Sequence, residues 1–279
     1  MLRFIALVLV PLALAAGGAR AGGGEPLPGV VTGAPGALDA AAGLRYVARP
    51  DHGSTVVAAV RARGGRVARR TTVSGTFGVA RVAFDGTTEG ISFDGKTLVL
   101  ADARRGATTT RFAVLDTDPL RLRKTIELAG VWAYDALSPD GRILYAIRYA
   151  LGAGGDPRYT VRAVSLATGR QLGGVIVDKS NPTAVMTGSP WSRVLGRDGS
   201  WAYTLYAKAE GTGFVHALDT LRQRAVCIEL PWRSATLTRV RLSLANEGRT
   251  LALSRGRDGR IATIDTSTFR LRILKPGLP

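Results

Sequence analysis

Few residues in this chain are equipped for proton transfer, nucleophilic attack or metal ligation. The two histidines, His52 and His216, stand far apart. His52 lies in the turn Asp51-His52-Gly53, and His216 in the apolar run Phe214-Val215-His216-Ala217-Leu218, where a half-exposed sheet residue is the plain reading. The single cysteine, Cys227, sits in Ala225-Val226-Cys227-Ile228, a setting that suits a small buried hydrophobe. One cysteine rules out an intramolecular disulfide and a C-x-x-C-H haem attachment. No His/Cys/Asp/Glu group has metal-ligand spacing. Gly152-Ala153-Gly154-Gly155 is not followed by a helix, so it does not read as a phosphate loop. These absences predict no catalytic residue, no cofactor and no metal.

A different constellation could bind. Trp132, Trp191 and Trp232 each precede a strand, with Arg193 and Arg233 close behind and Arg239 and Arg241 leading into the last repeat. Arg104, Arg105, Arg255 and Arg257 fall in other loops. Aromatic platforms beside guanidinium groups suit sugar rings or anionic polymers held by charge-assisted bonds. Glu89 and Asp135 are the nearby acceptors. The same tryptophans would serve equally as apolar plugs between neighbouring structural units.

The charge balance agrees with an anionic partner. There are 38 basic residues against 21 acidic, a net charge of +17. Only five of the basic residues are lysines, so scattered solvated arginine from a high-GC coding background explains the excess as well. Either way the surface field concentrates anions. Arg3, the apolar run Phe4 to Ala16 and the small-x-small triplet Ala19-Arg20-Ala21 read as a signal peptide over residues 1–21, cleaved after Ala21. Export places the protein outside the cytoplasm and argues against nucleic acid as a partner. No later segment is apolar enough to span a membrane. Residues 22–43, rich in Gly, Pro and Ala, read as a flexible leader.

From residue 44 to 279 one pattern repeats. Polar turns ending in glycine, Asp94-Gly95, Asp140-Gly141, Asp198-Gly199 and Glu247-Gly248, recur about every 50 residues. Each is followed by an apolar strand and then by a second strand closing on Leu115-Asp116-Thr117, Leu166-Ala167-Thr168, Leu218-Asp219-Thr220 or Ile264-Asp265-Thr266. Short runs of Val, Ile, Thr, Tyr and Phe bounded by Gly, Asp and Pro predict strands throughout. One unit reads as four of them: Tyr134–Ser138, Ile143–Tyr149, Arg158–Leu166 and Gln171–Val177. Units begin near residues 44, 84, 130, 186 and 236. The fold expected is all-β: a β-propeller of four-stranded antiparallel blades, five or six in number. An N-terminal segment such as Val30-Val31 would pair with a terminal blade to close the ring and remove its edges.

The unit from Leu137 to Val177, LSPDGRILYAI…YTVRAVSLATGRQLGGVIV, resembles the YVTN-type β-propeller repeat. That family pairs an SPDG-x-x-LYV hairpin with a following V-x-V-ID-x-x-T-G phrase. The resemblance extends more loosely over residues 84–275. It implies blades and leaves activity open, since such propellers include lactonase-like enzymes, quinoprotein-like and haem-associated proteins and non-catalytic envelope proteins. The His, Glu and Arg set that lactonase-like members carry in the central channel has no match here.

In a propeller, the loops carrying Trp132, Trp191 and Trp232 emerge on one face. The function expected is therefore an exported, non-catalytic binding or scaffold module for an anionic envelope polymer, a glycan or an envelope protein. The candidate ligand-binding residues are Trp132, Trp191, Trp232, Arg193, Arg239, Glu89 and Asp135. Two alternatives stand beside it: a small-molecule hydrolase of lactonase type using Glu89, Asp135, Arg193 and Arg239 in the channel, and a protein–protein interaction scaffold.

Overall fold

The computed structural model describes residues 28–104, 107–151, 157–180, 186–209 and 211–275. The signal-peptide reading and Arg105 therefore lie outside the described residues. Among the described residues the chain forms a propeller of five antiparallel blades. Blade 1 is β2 (Ala37–Asp39), β3 (Leu44–Asp51), β4 (Ser54–Arg61) and β5 (Val67–Ser74), following a short β1 (Val30–Val31). Blade 2 is β6 (Phe77–Arg81), β8 (Thr97–Asp102), β9 (Thr109–Thr117) and β10 (Leu120–Ala129), with β7 (Thr88–Glu89) paired to β6. Blade 3 is β11 (Val131–Leu137), β12 (Ile143–Leu151), β13 (Pro157–Ser165) and β14 (Gln171–Ile176). Blade 4 is β15 (Ser189–Leu195), β16 (Trp201–Ala207), β17 (Gly213–Asp219) and β18 (Arg224–Leu230). Blade 5 is β19 (Val240–Ala245), β20 (Thr250–Arg255), β21 (Gly259–Asp265) and β22 (Leu271–Ile273).

The recurring residues have a shared physical job. Each turn glycine has positive φ, +72° at Gly95 and +63° at Gly141, which only glycine adopts without strain. The preceding aspartate organises the turn: Ser92 Oγ donates to Asp94 at 2.6 Å, and Ser138 Oγ to Asp140 at 2.7 Å. The threonine that closes the next strand pair then returns to the same turn. Thr117 donates to the Gly95 carbonyl (2.7 Å), Thr220 to that of Gly199 (2.8 Å) and Thr266 to that of Gly248 (2.9 Å). The repeated Asp-Thr phrase is thus a clasp between the two hairpins of one blade.

Alternation along the strands buries one face of each blade against the next. Four hydrophobic cores result. Tyr46, Val57, Phe77 and Leu98 join blades 1 and 2. Val114, Ile126, Trp132 and Leu144 join blades 2 and 3. Tyr145, Tyr159, Tyr206 and Phe214 join blades 3 and 4. Leu205, Trp232, Leu242 and Leu253 join blades 4 and 5. Among the described residues no core joins blade 5 to blade 1.

Three expectations need correction. The leader contributes strands: Val30–Val31 and Ala37–Asp39 are both paired, so the described strands already begin at residue 30, before 44. The innermost strand of blade 1 is β2, so Asp51-His52-Gly53 links the blade's second and third strands. Finally, β1 pairs with β6 of blade 2 and not with a terminal blade, so it does not close the ring. The reason lies in blade 2. Its inner strand is split: Phe77 and Gly78 pair with β8, and the chain rejoins β8 at Gly90 and Ile91. The intervening hairpin needs partners of its own. It takes β1 on one side and β7 within itself.

Candidate functional site

The inserted hairpin of blade 2 crosses to blade 4. The Phe84 and Asp85 amides donate to the carbonyls of Pro190 (2.8 Å) and Trp191 (3.1 Å). The Phe84 ring lies 5.4 Å from that of Trp191. This brings Glu89, on β7, to Arg193, on β15. Asp135, on the inner strand of blade 3, completes the group.

Arg193 is 5% exposed, and its guanidinium is fully engaged. Nε and Nη2 donate to the two Glu89 oxygens at 2.9 and 3.2 Å. Nη1 donates to Asp135 Oδ1 at 2.9 Å and to Thr204 Oγ1 at 2.6 Å. Nη2 also donates to the Asp135 carbonyl at 2.6 Å. A guanidinium has five N–H groups, and five bonds use them. Burial works against its charge, but Glu89 and Asp135 more than offset it, so its pKa stands above the ordinary arginine value. Burial pushes the Glu89 carboxyl up, and Arg193 pulls it part of the way back. Three of the seven candidate residues are therefore brought together, bonded to one another across blades 2, 3 and 4. No donor of Arg193 is left for a ligand. The group holds the three blades in register.

The tryptophans are placed differently from the expected platform. Trp132 is 5% exposed, and its indole donates to the Ala129 carbonyl at 2.9 Å. Trp232 is 2% exposed, inside the core between blades 4 and 5. Trp191 is half-buried against Phe84. The three plug spaces between strands, as large rings do where burial is available, and present no common open face. Arg239 is exposed. A further aromatic group forms around Trp201, stacked on Tyr203 and packed against Phe269, with the Arg224 guanidinium 5.6 Å from its ring. Its position on a strand after the third turn gave no local cue.

A polar row continues outward from Arg193 through blade 4. Register sets Arg193 opposite Thr204, Thr204 opposite His216, and His216 opposite Cys227. Directly opposed residues of an antiparallel pair share a face, so all four point toward blade 3. His216 Nδ1 is 3.7 Å from Cys227 Sγ. Burial lowers the His216 pKa to about 4 and raises that of the Cys227 thiol to about 12. Both are neutral at pH 7, which is not an activated thiolate pair. They line a cavity of about 360 Å³ between blades 3 and 4.

The end faces of the propeller form a second kind of site. On blade 5, Arg241, Ser254 and Arg260 make one cross-strand row, and Ser243, Ala252, Thr263 and Arg272 the next. Arg241, Arg260 and Arg272 are exposed, and among the described residues none of them enters an ion pair. On blade 1 the corresponding face exposes Leu38 and Val67 beside Arg49 and Arg70.

No protein-family model and no curated protein sequence matches the chain. The similar solved structures include propellers. A functionally unknown protein from Desulfotomaculum acetoxidans is 12% identical with a TM-score of 0.50, over 86% of this chain and 68% of that one. Hydrazine synthase from Kuenenia stuttgartiensis is 18% identical with a TM-score of 0.42, over 86% of this chain and 77% of that one. The periplasmic gluconolactonase of Pseudomonas aeruginosa is 17% identical with a TM-score of 0.45, over 79% and 62%. At these identities the likeness is one of fold alone. Among the described residues, no helix is long and apolar enough to cross a membrane.

Proposed function

We propose that this chain is an exported, non-catalytic binding module of YVTN-like type that holds a linear polyanion, such as an acidic envelope polymer, on the open face of blade 5. The observation that carries this is the pair of adjacent cross-strand rows bearing the exposed Arg241, Arg260 and Arg272, none in an ion pair among the described residues, with Arg239 at their edge, on a sheet face that in a closed ring would pack against a neighbouring blade. Serine, threonine and alanine between them leave room for a chain to lie close to the sheet. Arg241 and Arg260 stand two strands apart, roughly 10 Å at ordinary strand spacing. Such a grid of cations contacts successive charges of a polymer better than one compact anion. The signal-like N-terminus supports export, and the +17 charge supports an anionic ligand.

The test is equilibrium binding of a sulfated polysaccharide and of polyphosphate to the wild type and to Arg241→Gln/Arg260→Gln/Arg272→Gln, at two salt concentrations. At roughly 1 kcal/mol for each cation beside an anionic surface, the triple variant loses about 3 kcal/mol, or about 150-fold in affinity at low salt. Affinity of the wild type falls as salt rises. Equal affinity of variant and wild type would move the ligand elsewhere and reject this face.

A further inference from the structure

We propose that Cys227, His216 and Met186 form a binding site for a soft monovalent cation, Cu(I), in the cavity between blades 3 and 4. This site is separate from the arginine face and does not depend on it.

Three observations converge. The first is the donor set. Cys227, His216 and Met186 line one cavity, offering a thiol, an imidazole and a thioether. Soft sulfur donors with imidazole select Cu(I), whereas Zn(II) prefers four nitrogen, sulfur or carboxylate donors. The described residues contain no group of three His, Cys, Asp or Glu side chains arranged to hold a metal. Asp178, the acid nearest Cys227, is occupied: its Oδ2 accepts the Cys227 amide at 2.7 Å and its Oδ1 accepts from Ser180.

The second is geometry. With a metal–sulfur bond of about 2.3 Å and a metal–nitrogen bond of about 2.0 Å, the 3.7 Å from Sγ to Nδ1 subtends about 120° at the metal. That is a trigonal angle, not a linear one, and it calls for a third donor. Met186 supplies it. Its backbone is bridged to Tyr159 on the blade 3 side, and it packs against the same core. The cation would therefore sit between two blades, with ligands from β17, β18 and the segment leading to β15.

The third is an unpartnered imidazole nitrogen. His216 is 1% exposed, and its Nε2 has no hydrogen-bond partner. Nδ1, the ring nitrogen that faces Cys227 Sγ at 3.7 Å, is the one placed to give its lone pair to a cation. When Nδ1 gives its lone pair to a cation, Nε2 carries the proton. Binding displaces the Cys227 thiol proton to solvent; no electron is transferred.

The test is anaerobic titration of the purified full chain with Cu(I) against a chromogenic Cu(I) chelator, with alkylation of Cys227 followed in parallel. The expected result is one equivalent bound, ultraviolet thiolate-to-copper charge transfer, and protection of Cys227 from alkylation at one equivalent. Cys227→Ser abolishes the charge transfer and lowers affinity at least about 100-fold, and Met186→Ile lowers it about tenfold or more, of the order that shell losses produce. Circular dichroism confirms that each variant is folded. The alkylation arm uses the wild type alone, so it stands even if a variant unfolds. No stoichiometric binding, or binding that leaves the Cys227 alkylation rate unchanged, overturns the proposal. So does a folded Met186→Ile variant with wild-type affinity.

Discussion

Replacing Arg193 with methionine removes the guanidinium and keeps most of the aliphatic volume. The change strands two carboxylates, Glu89 and Asp135, inside the protein, at 8% and 3% exposure. Five hydrogen bonds go with it. Breaking a buried ion pair from one side costs about 3–5 kcal/mol, chiefly because the remaining charge stays buried. For a chain of this size, about 2–4 °C of melting temperature accompanies each kcal/mol, so the midpoint falls by roughly 6–20 °C. The pH dependence identifies the cause. Glu89 already has a folded pKa above its ordinary value of 4.5, because burial outweighs the pull of Arg193. Loss of Arg193 removes that pull and raises it further. A carboxyl with a raised folded pKa binds its proton more tightly in the folded state. Its penalty is full above the folded pKa and disappears as pH falls through the folded value to the unfolded one. The stability gap between variant and wild type must therefore narrow as pH is lowered from 7 toward 4.5. Urea denaturation across that range measures it. Adding Glu89→Leu to Arg193→Met should recover part of the loss at pH 7, since replacing both partners by apolar groups is far cheaper than removing one. A loss under about 1 kcal/mol, or a gap independent of pH, would refute the buried ion group as a clamp between blades.

Two further changes test the blade clasp. A side chain at Gly141 meets both a positive φ of +63° and a Cβ position 2.5 Å from Thr97 Oγ1 and 3.0 Å from Ser92 Cβ on the neighbouring blade. Gly141→Val should cost at least about 2 kcal/mol, read as a fall in thermal midpoint; an unchanged midpoint would dismiss the turn assignment. Thr220→Val keeps the shape of a side chain that is 1% exposed but leaves the Gly199 carbonyl without its donor. The expected loss is about 1–3 kcal/mol by denaturant titration, against a near-neutral result if the clasp contributes nothing.

Local pattern carries a blade and does not carry what passes between blades. The four strands read over Tyr134–Ser138, Ile143–Tyr149, Arg158–Leu166 and Gln171–Val177 coincide closely with β11 to β14, because period-two alternation and an obligate turn glycine are written within a few residues. Glu89, Asp135 and Arg193 were recognisable as charged residues near the inner strands. That they satisfy each other was not, since they are 104 and 58 residues apart and no spacing rule links them. The tryptophans were visible as large rings at strand starts. Whether such a ring faces solvent or a neighbouring blade depends on how far the next sheet stands from it, which Trp132 and Trp232 settle by burial.

The sequence by itself determined the repeating hairpins, their turn glycines and returning threonines, and the strongly basic surface. Each of these is decided by short-range sterics, hydrogen bonding within a blade, or a simple count of charges. Only the tertiary structure decided that β1 joins blade 2, that a hairpin from that blade reaches blade 4, and that Arg241, Arg260 and Arg272 stand exposed on one face of blade 5. It alone set His216 beside Cys227. Those outcomes rest on register between strands and on contacts between blades, where the energy belongs to pairs of residues that the chain brings together only on folding.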